Sequence, residues 1–144
     1  MLPPDLLHVF VYGTLKPGEY FYPRYCEGKV VAAVEAIALG TLYDLPMGYP
    51  ALTPGEDPVY GYVLSFADFG VLAALDELEG YDPNGSPLLN EYERSLTTVY
   101  DLSHKELGQA WHYWMTTKQA EQLGGTRLAH GRWTGRNLSQ EISQ

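Results

Sequence analysis

The apolar residues of this chain come in short β-branched and aromatic runs that Gly and Pro cut apart, and this punctuation limits what the chain can fold into. "HVFVYGTL" (residues 8–15), "VYGYVLSF" (59–66) and the longer "KVVAAVEAIALGTLYDL" (29–45), interrupted at Gly40, all read as strands. "EYERSLTTVYDL" (91–102) alternates into two faces, one with Tyr92, Arg94, Leu96, Thr98 and Tyr100 and the other with Glu93, Ser95, Thr97, Val99 and Asp101. After the turn "SHKELGQ", the run "AWHYWM" (110–115) supplies an antiparallel partner.

One segment breaks the strand pattern. "DFGVLAALDELEG" (68–80) has helical periodicity, with Asp68 suited to the N-cap and Gly80 to the C-terminal cap. A shorter helix is expected through "TKQAEQL" up to Gly124 and Gly125. Many short strands around one main helix, with no internal repeat and no dividing linker, indicate an α+β fold of the small-barrel kind. With 144 residues, 45% of them apolar and 19% charged, the expectation is a single domain over residues 1–144, ordered from about 8 to 134, with a loose tail "NLSQEISQ".

Composition also removes several functions. The formal charge of −9 disfavours nucleic acid, which needs clustered Lys and Arg. Residues 124–144 carry +2, from Arg127, Arg132 and Arg136 against Glu141, which leaves −11 for the rest. Cys26 is the only cysteine, so no internal disulfide forms. The first residues lack the charged and apolar regions of a signal peptide, and no apolar run approaches the ~20 residues that span a bilayer. A cytosolic protein with no membrane partner is expected; the sequence gives no oligomeric state.

The helix places a carboxylate where a carboxylate is costly. Advancing about 100° per residue from Leu72, Val71, Leu75 and Leu78 form an apolar stripe, and Glu79 falls inside it. Glu77 lies on the opposite face and Asp76 at the stripe's edge. A glutamate facing a core has a partner, borders a pocket, or has its pKa raised by desolvation, and the last two states suit a general base near neutral pH. Escape to solvent from the helix end, or pairing with Arg94, is the structural alternative.

The "YGTL" turn is the second feature. Gly13, without a Cβ at a strand end, allows close approach to the backbone and lets successive N–H groups converge on an anion such as a carboxylate. A tight turn without a ligand is the alternative. "GTLKPGE" lacks the spacing of a phosphate-binding loop. No ligand-spaced metal motif is present, since His104 and His112 flank a hairpin without a paired motif, so no metal or other cofactor is expected. Cys26 in "YPRYCEGK" has no recognisable base beside it, and no G-x-S-x-G elbow is present.

Taken in order, "VFVYGTLKPGE", "MGYPAL" (47–52), "LDELEGY" (75–81), "YER" (92–94) and "HGRW" (130–133) resemble the γ-glutamylcyclotransferase-like family over roughly residues 8 to 134. The resemblance implies a small mixed β-barrel with flanking helices. It implies an enzyme that turns a γ-glutamyl compound into 5-oxoproline and releases an amine or amino acid, without a cofactor. In that family the glutamate of the L-D-x-x-E-G motif, here Glu79, is the acid/base, and the turn formed here by Tyr12, Gly13, Thr14 and Leu15 binds the glutamyl moiety. Tyr92, which opens the family's Y-x-R-like segment, is a further substrate-binding candidate; Tyr49 and Tyr113 could line the same cavity. The leaving group stays open between an α-amino acid, a lysine side chain, a simple amine and the cysteinylglycine of glutathione. A binding or regulatory domain without turnover is the rival. Two departures from the family are the Pro- and Gly-rich insert "DPNGSPLLNE" (82–91), able to cover the pocket or alter the leaving group, and Arg132, where relatives often carry an acidic residue.

Overall fold

A computed structural model of the chain describes residues 2–85 and 90–135. The expected loose tail lies outside them, as does the middle of the 82–91 insert.

Strand β1 (Leu7–Val11) pairs antiparallel with β3 (Pro50–Phe66) and parallel with β5 (Glu106–Trp114). β5 continues antiparallel to β4 (Glu93–Tyr100), β4 meets β2 (Val30–Asp44) at Ile37 and Tyr100, and β2 returns to β3. Five strands therefore close into a ring of mixed sense, and β6 (Thr126–Arg127) adds to the end of β2 at Tyr43 and Asp44. This is the small mixed α+β architecture expected. No helix among the described residues is long and apolar enough to cross a membrane.

Alternation along β1 divides the interior in two. Phe10 and Tyr12 join Ala36, Ala38, Leu52, Val59, Val99 and Ala110 in a cluster drawn from all five ring strands, which therefore fills the ring. Alanines on β2 and β5 suit so narrow a bore. Leu7, Val9 and Val11 point the other way, against Val71 and Leu75 of α2 (Val71–Leu78), Ala120 of α3 (Thr117–Gln122) and Cys26, just beyond the short α1 (Tyr22–Tyr25). Each fully buried Leu, Val or Phe contributes about 1.5–3 kcal/mol relative to exposure.

Several boundaries differ from those read in the sequence. β3 begins at Pro50, nine residues before "VYGYVLSF", and survives Pro54, Gly55 and Pro58 because its pairing jumps there. Gly40 opposes Asp57 while Thr41 opposes Thr53, so residues 54–56 bulge out of register. Gly40 thus shifts the register of one continuous strand and does not end it; a Cβ there would lie 2.8 Å from the Thr53 carbonyl oxygen. β5 starts at Glu106 because the turn before it is tighter than expected: the Asp101 carboxylate accepts from the N–H groups of Ser103 and Lys105, and His104 takes a positive φ of 67°. The α2 N-cap is Gly70, not Asp68. Asp68 caps the preceding turn by accepting from Gly70 N–H at 2.8 Å, and Val71 and Leu72 bond back only three residues, so the helix proper begins two residues late.

Candidate active site

Gly80 fixes where α2 ends. With φ at 66° it closes the helix, its N–H donating to the Glu77 carbonyl and the Tyr81 N–H to that of Asp76. This paired pattern is the Schellman arrangement, and it makes Glu79 the C-cap residue. The helix is therefore one residue too short to contain Glu79, yet the cap holds its side chain on the side the periodicity indicated.

That side opens on a cavity of about 260 Å³ lined by the "YGTL" turn, Tyr49, Glu79, Glu91, Tyr92 and Tyr113, among others. All six residues singled out from the sequence, Tyr12, Gly13, Thr14, Leu15, Glu79 and Tyr92, border this one space, although they come from the end of β1, the end of α2 and the start of β4. No Lys, Arg or His is among its lining residues.

The tyrosines form its frame. Tyr12 donates to the Tyr113 carbonyl at 2.6 Å and accepts from Leu52 N–H at 3.1 Å, tying β1 to β5 and β3. Tyr92 donates to the Pro50 carbonyl, and Tyr113 donates to Asp76 at 2.7 Å. Burial, the largest cause in each case, pushes the phenols of Tyr12, Tyr92 and Tyr113 far above their ordinary range, and nearby carboxylates add to it. They stay neutral, and with each proton committed to an acceptor within the protein, these oxygens can serve further partners only as acceptors.

The Glu79 backbone N–H donates to the Leu75 carbonyl at 2.9 Å, but its side-chain carboxyl has no hydrogen-bond partner among the described residues. The alternative that Arg94 neutralises it is ruled out by geometry, because Arg94 grips Asp76 through two bonds of 2.8 and 3.1 Å. Burial, then the negative charge of Glu91, pushes the Glu79 carboxyl up to about 8. Glu91 itself accepts from the Tyr49 hydroxyl. It was hidden in the sequence as the last residue of an irregular insert; its place beside Tyr92 was the one available signal.

The turn contributes in two ways. Gly13 has no positive φ; its need for a missing Cβ comes from Pro50, whose Cγ would lie 2.6 Å from one. Packing within the protein, more than access for a ligand, accounts for that glycine. Among the described residues no acceptor meets the backbone N–H of Gly13, Thr14 or Leu15, while the carbonyls of Gly13 and Thr14 accept from Lys16 and Phe21. The turn is thus held by its carbonyls and keeps its donors unspent beside the cavity.

The remaining candidates serve the scaffold. His112 is buried, with Nδ1 2.9 Å from the Ser95 carbonyl and its pKa lowered by burial, whereas His104 sits in the β4–β5 turn. Cys26 is buried and its thiol is pushed up to about 11. In "HGRW", Gly131 accepts from Tyr60 N–H at 2.8 Å, Arg132 lies 3.9 Å above the Tyr60 ring, and Trp133 is buried with Nε1 donating to Asp44.

The family model described as gamma-glutamyl cyclotransferase, AIG2-like, matches residues 9–135. The fold is similar to that of an AIG2-like protein from Mus musculus, with a TM-score of 0.65 and 20% identity over 90% of this chain and 88% of that one. A protein from Arabidopsis thaliana gives a TM-score of 0.63 and 23% identity, covering 96% and 84% of the two chains. A structure described as gamma-glutamyl cyclotransferase gives 0.56 and 18%, covering 83% and 80%. No curated protein matches the chain.

Proposed function

Because this chain belongs to the AIG2-like γ-glutamyl cyclotransferase family, we propose that it converts a γ-glutamyl compound into 5-oxoproline with release of an amine or amino acid, Glu79 serving as acid and base. The observation that carries this reading is the Glu79 carboxyl, half-buried and without a hydrogen-bond partner among the described residues, at a cavity that also borders a turn with three unspent N–H groups. A carboxylate retained there without a partner costs stability, and its raised pKa suits proton transfer near neutral pH.

The substrate brings its own nucleophile. Its α-amino group closes a five-membered ring on the γ-carbonyl, so the protein needs to supply geometry and protons rather than a nucleophilic side chain. The N–H groups of Gly13, Thr14 and Leu15 hold the glutamyl end, and the flanking tyrosines hold the chain in a near-attack arrangement. Glu79 in its carboxylate form takes one proton from the α-ammonium. The freed amine attacks the γ-carbonyl, the tetrahedral intermediate collapses, and Glu79 returns its proton to the departing nitrogen. A second proton lost from the original ammonium ends on the released amine, and the third remains as the lactam N–H. Atoms and charge balance without a cofactor or an outside co-reactant.

The test is 5-oxoproline release, read by mass spectrometry, from γ-glutamyl amino acids, γ-glutamyl amines, γ-glutamyl-ε-lysine and glutathione. The expected result is release from at least one of these classes by the parent protein, which also identifies the leaving group. Binding of these compounds at the cavity without release would favour the non-catalytic binding domain instead.

A further inference from the structure

The cavity holds a second carboxylate that the reaction described above does not use. Glu91 is placed with unusual care for the end of an irregular insert. Its backbone N–H donates to the Gly80 carbonyl at 3.0 Å, its own carbonyl accepts from Gln119 Nε2 at 3.0 Å, and its side chain is held by the Tyr49 hydroxyl. Gly80, the residue that caps α2 behind Glu79, leaves just enough room: a Cβ there would come within 3.1 Å of the Glu91 Cβ. The contacts that place Glu79 and those that place Glu91 therefore share one residue.

What faces these two groups limits what can sit between them. From β1 comes Tyr12, from the segment before β3 Tyr49, from the start of β4 Tyr92, and from β5 Tyr113, while Asp76 on α2 is spent on Arg94. The tyrosine hydroxyls of that set spend their protons within the protein, and no Lys, Arg or His is among the described residues that line the space. Away from the N–H groups of the 13–15 turn, such a lining favours a compact cation over an anion.

We infer that Glu91, positioned by Tyr49, is the anchor for the substrate's α-ammonium group and holds it against Glu79. The inference rests on the γ-glutamyl reading of the site and adds the residue that recognises the amine. It also gives substrate entry a chemical consequence. An ammonium brought beside Glu79 favours the carboxylate form, so a protonated Glu79 releases its proton to solvent as substrate binds and stands ready to take one from the amine. The 5-oxoproline product carries a neutral lactam nitrogen in place of the ammonium, so the anchor loses its hold once the ring has closed.

The loss of the ammonium on cyclisation supplies the test. In the full chain with Glu79→Gln, which stops turnover, binding of γ-glutamylethylamide and of 5-oxoproline is measured by calorimetry at pH 7, with and without Glu91→Gln. Removing the anchor should weaken γ-glutamylethylamide by about tenfold or more and 5-oxoproline by less than about twofold. Tyr49→Phe, which leaves the carboxylate but frees it, should show the same pattern with a smaller loss of about threefold. Equal loss for both ligands would make Glu91 merely structural, and no loss for either would remove it from the site; each overturns the inference while leaving the γ-glutamyl reading intact. Failure of Glu79→Gln to bind either compound would overturn the γ-glutamyl reading, and the anchor with it.

Discussion

Asp76 and Glu79 stand three residues apart at the end of one helix and live in opposite conditions. Asp76 accepts two bonds from Arg94 and one from Tyr113, and Arg94 is clamped between the rings of Tyr81 and Trp111, 5.1 and 4.7 Å from their centroids. Glu79 accepts nothing from the described residues and looks across a cavity at another carboxylate. A carboxylate whose lone pairs are filled by donors is silent as a base and valuable as a brace. One left without donors weakens the fold but keeps its proton exchangeable, and the contrast separates the structural acid from the chemical one.

Substitutions at the two positions should therefore fail in different ways. Glu79→Gln should lower turnover by about 10²–10⁴-fold with little change in substrate affinity, read from steady-state kinetics and calorimetry. Asp76→Ala leaves a mostly buried guanidinium uncompensated and should cost about 3–5 kcal/mol of stability in a urea titration. Full stability after that change, with activity abolished, would reverse the roles assigned here. Gly13→Ala, which brings a Cβ against Pro50, should cost about 1–3 kcal/mol and raise KM, because the turn must shift.

A pH dependence sharpens the same contrast. Since the folded protein raises the Glu79 pKa from 4.5 to about 8, the native state binds a proton that the unfolded chain gives up across that interval. The wild type's stability relative to Glu79→Gln should thus be highest below pH 4.5, fall as pH rises toward 8, and level off above it. A shift of that size corresponds to a total fall of at most roughly 5 kcal/mol, measured by thermal melts of both proteins over the range.

Much of this arrangement was legible in the sequence. The 3.6-residue period set Glu79 toward the apolar side of α2 but put Asp76 only at its edge, whereas Asp76 is the more buried of the two and the one that Arg94 reaches. Gly80 marked the helix end because its positive φ is a local requirement. Local signals failed where distant pairing decided. The first half of β3 holds Pro54, Gly55 and Pro58, and only the register with β2 makes it a strand. Glu91 escaped for a related reason: bonds from Gly80, Gln119 and Tyr49 fix it, and none of these is visible along an insert rich in Pro and Gly. Gly13 was legible as a required glycine, but its cause, the Pro50 ring, lies 37 positions away in the chain.

The measurement that bears most directly on the central claim is the titration of the Glu79 side-chain carboxyl by carbon NMR in the full chain, assigned by comparison with Glu79→Gln. A midpoint near 8 would establish an unpartnered carboxyl able to exchange protons at neutral pH. A midpoint in the ordinary carboxylate range, about 4 to 5, would mean that Glu79 is solvated or paired after all, and the contrast with Asp76 on which the proposed chemistry rests would be gone.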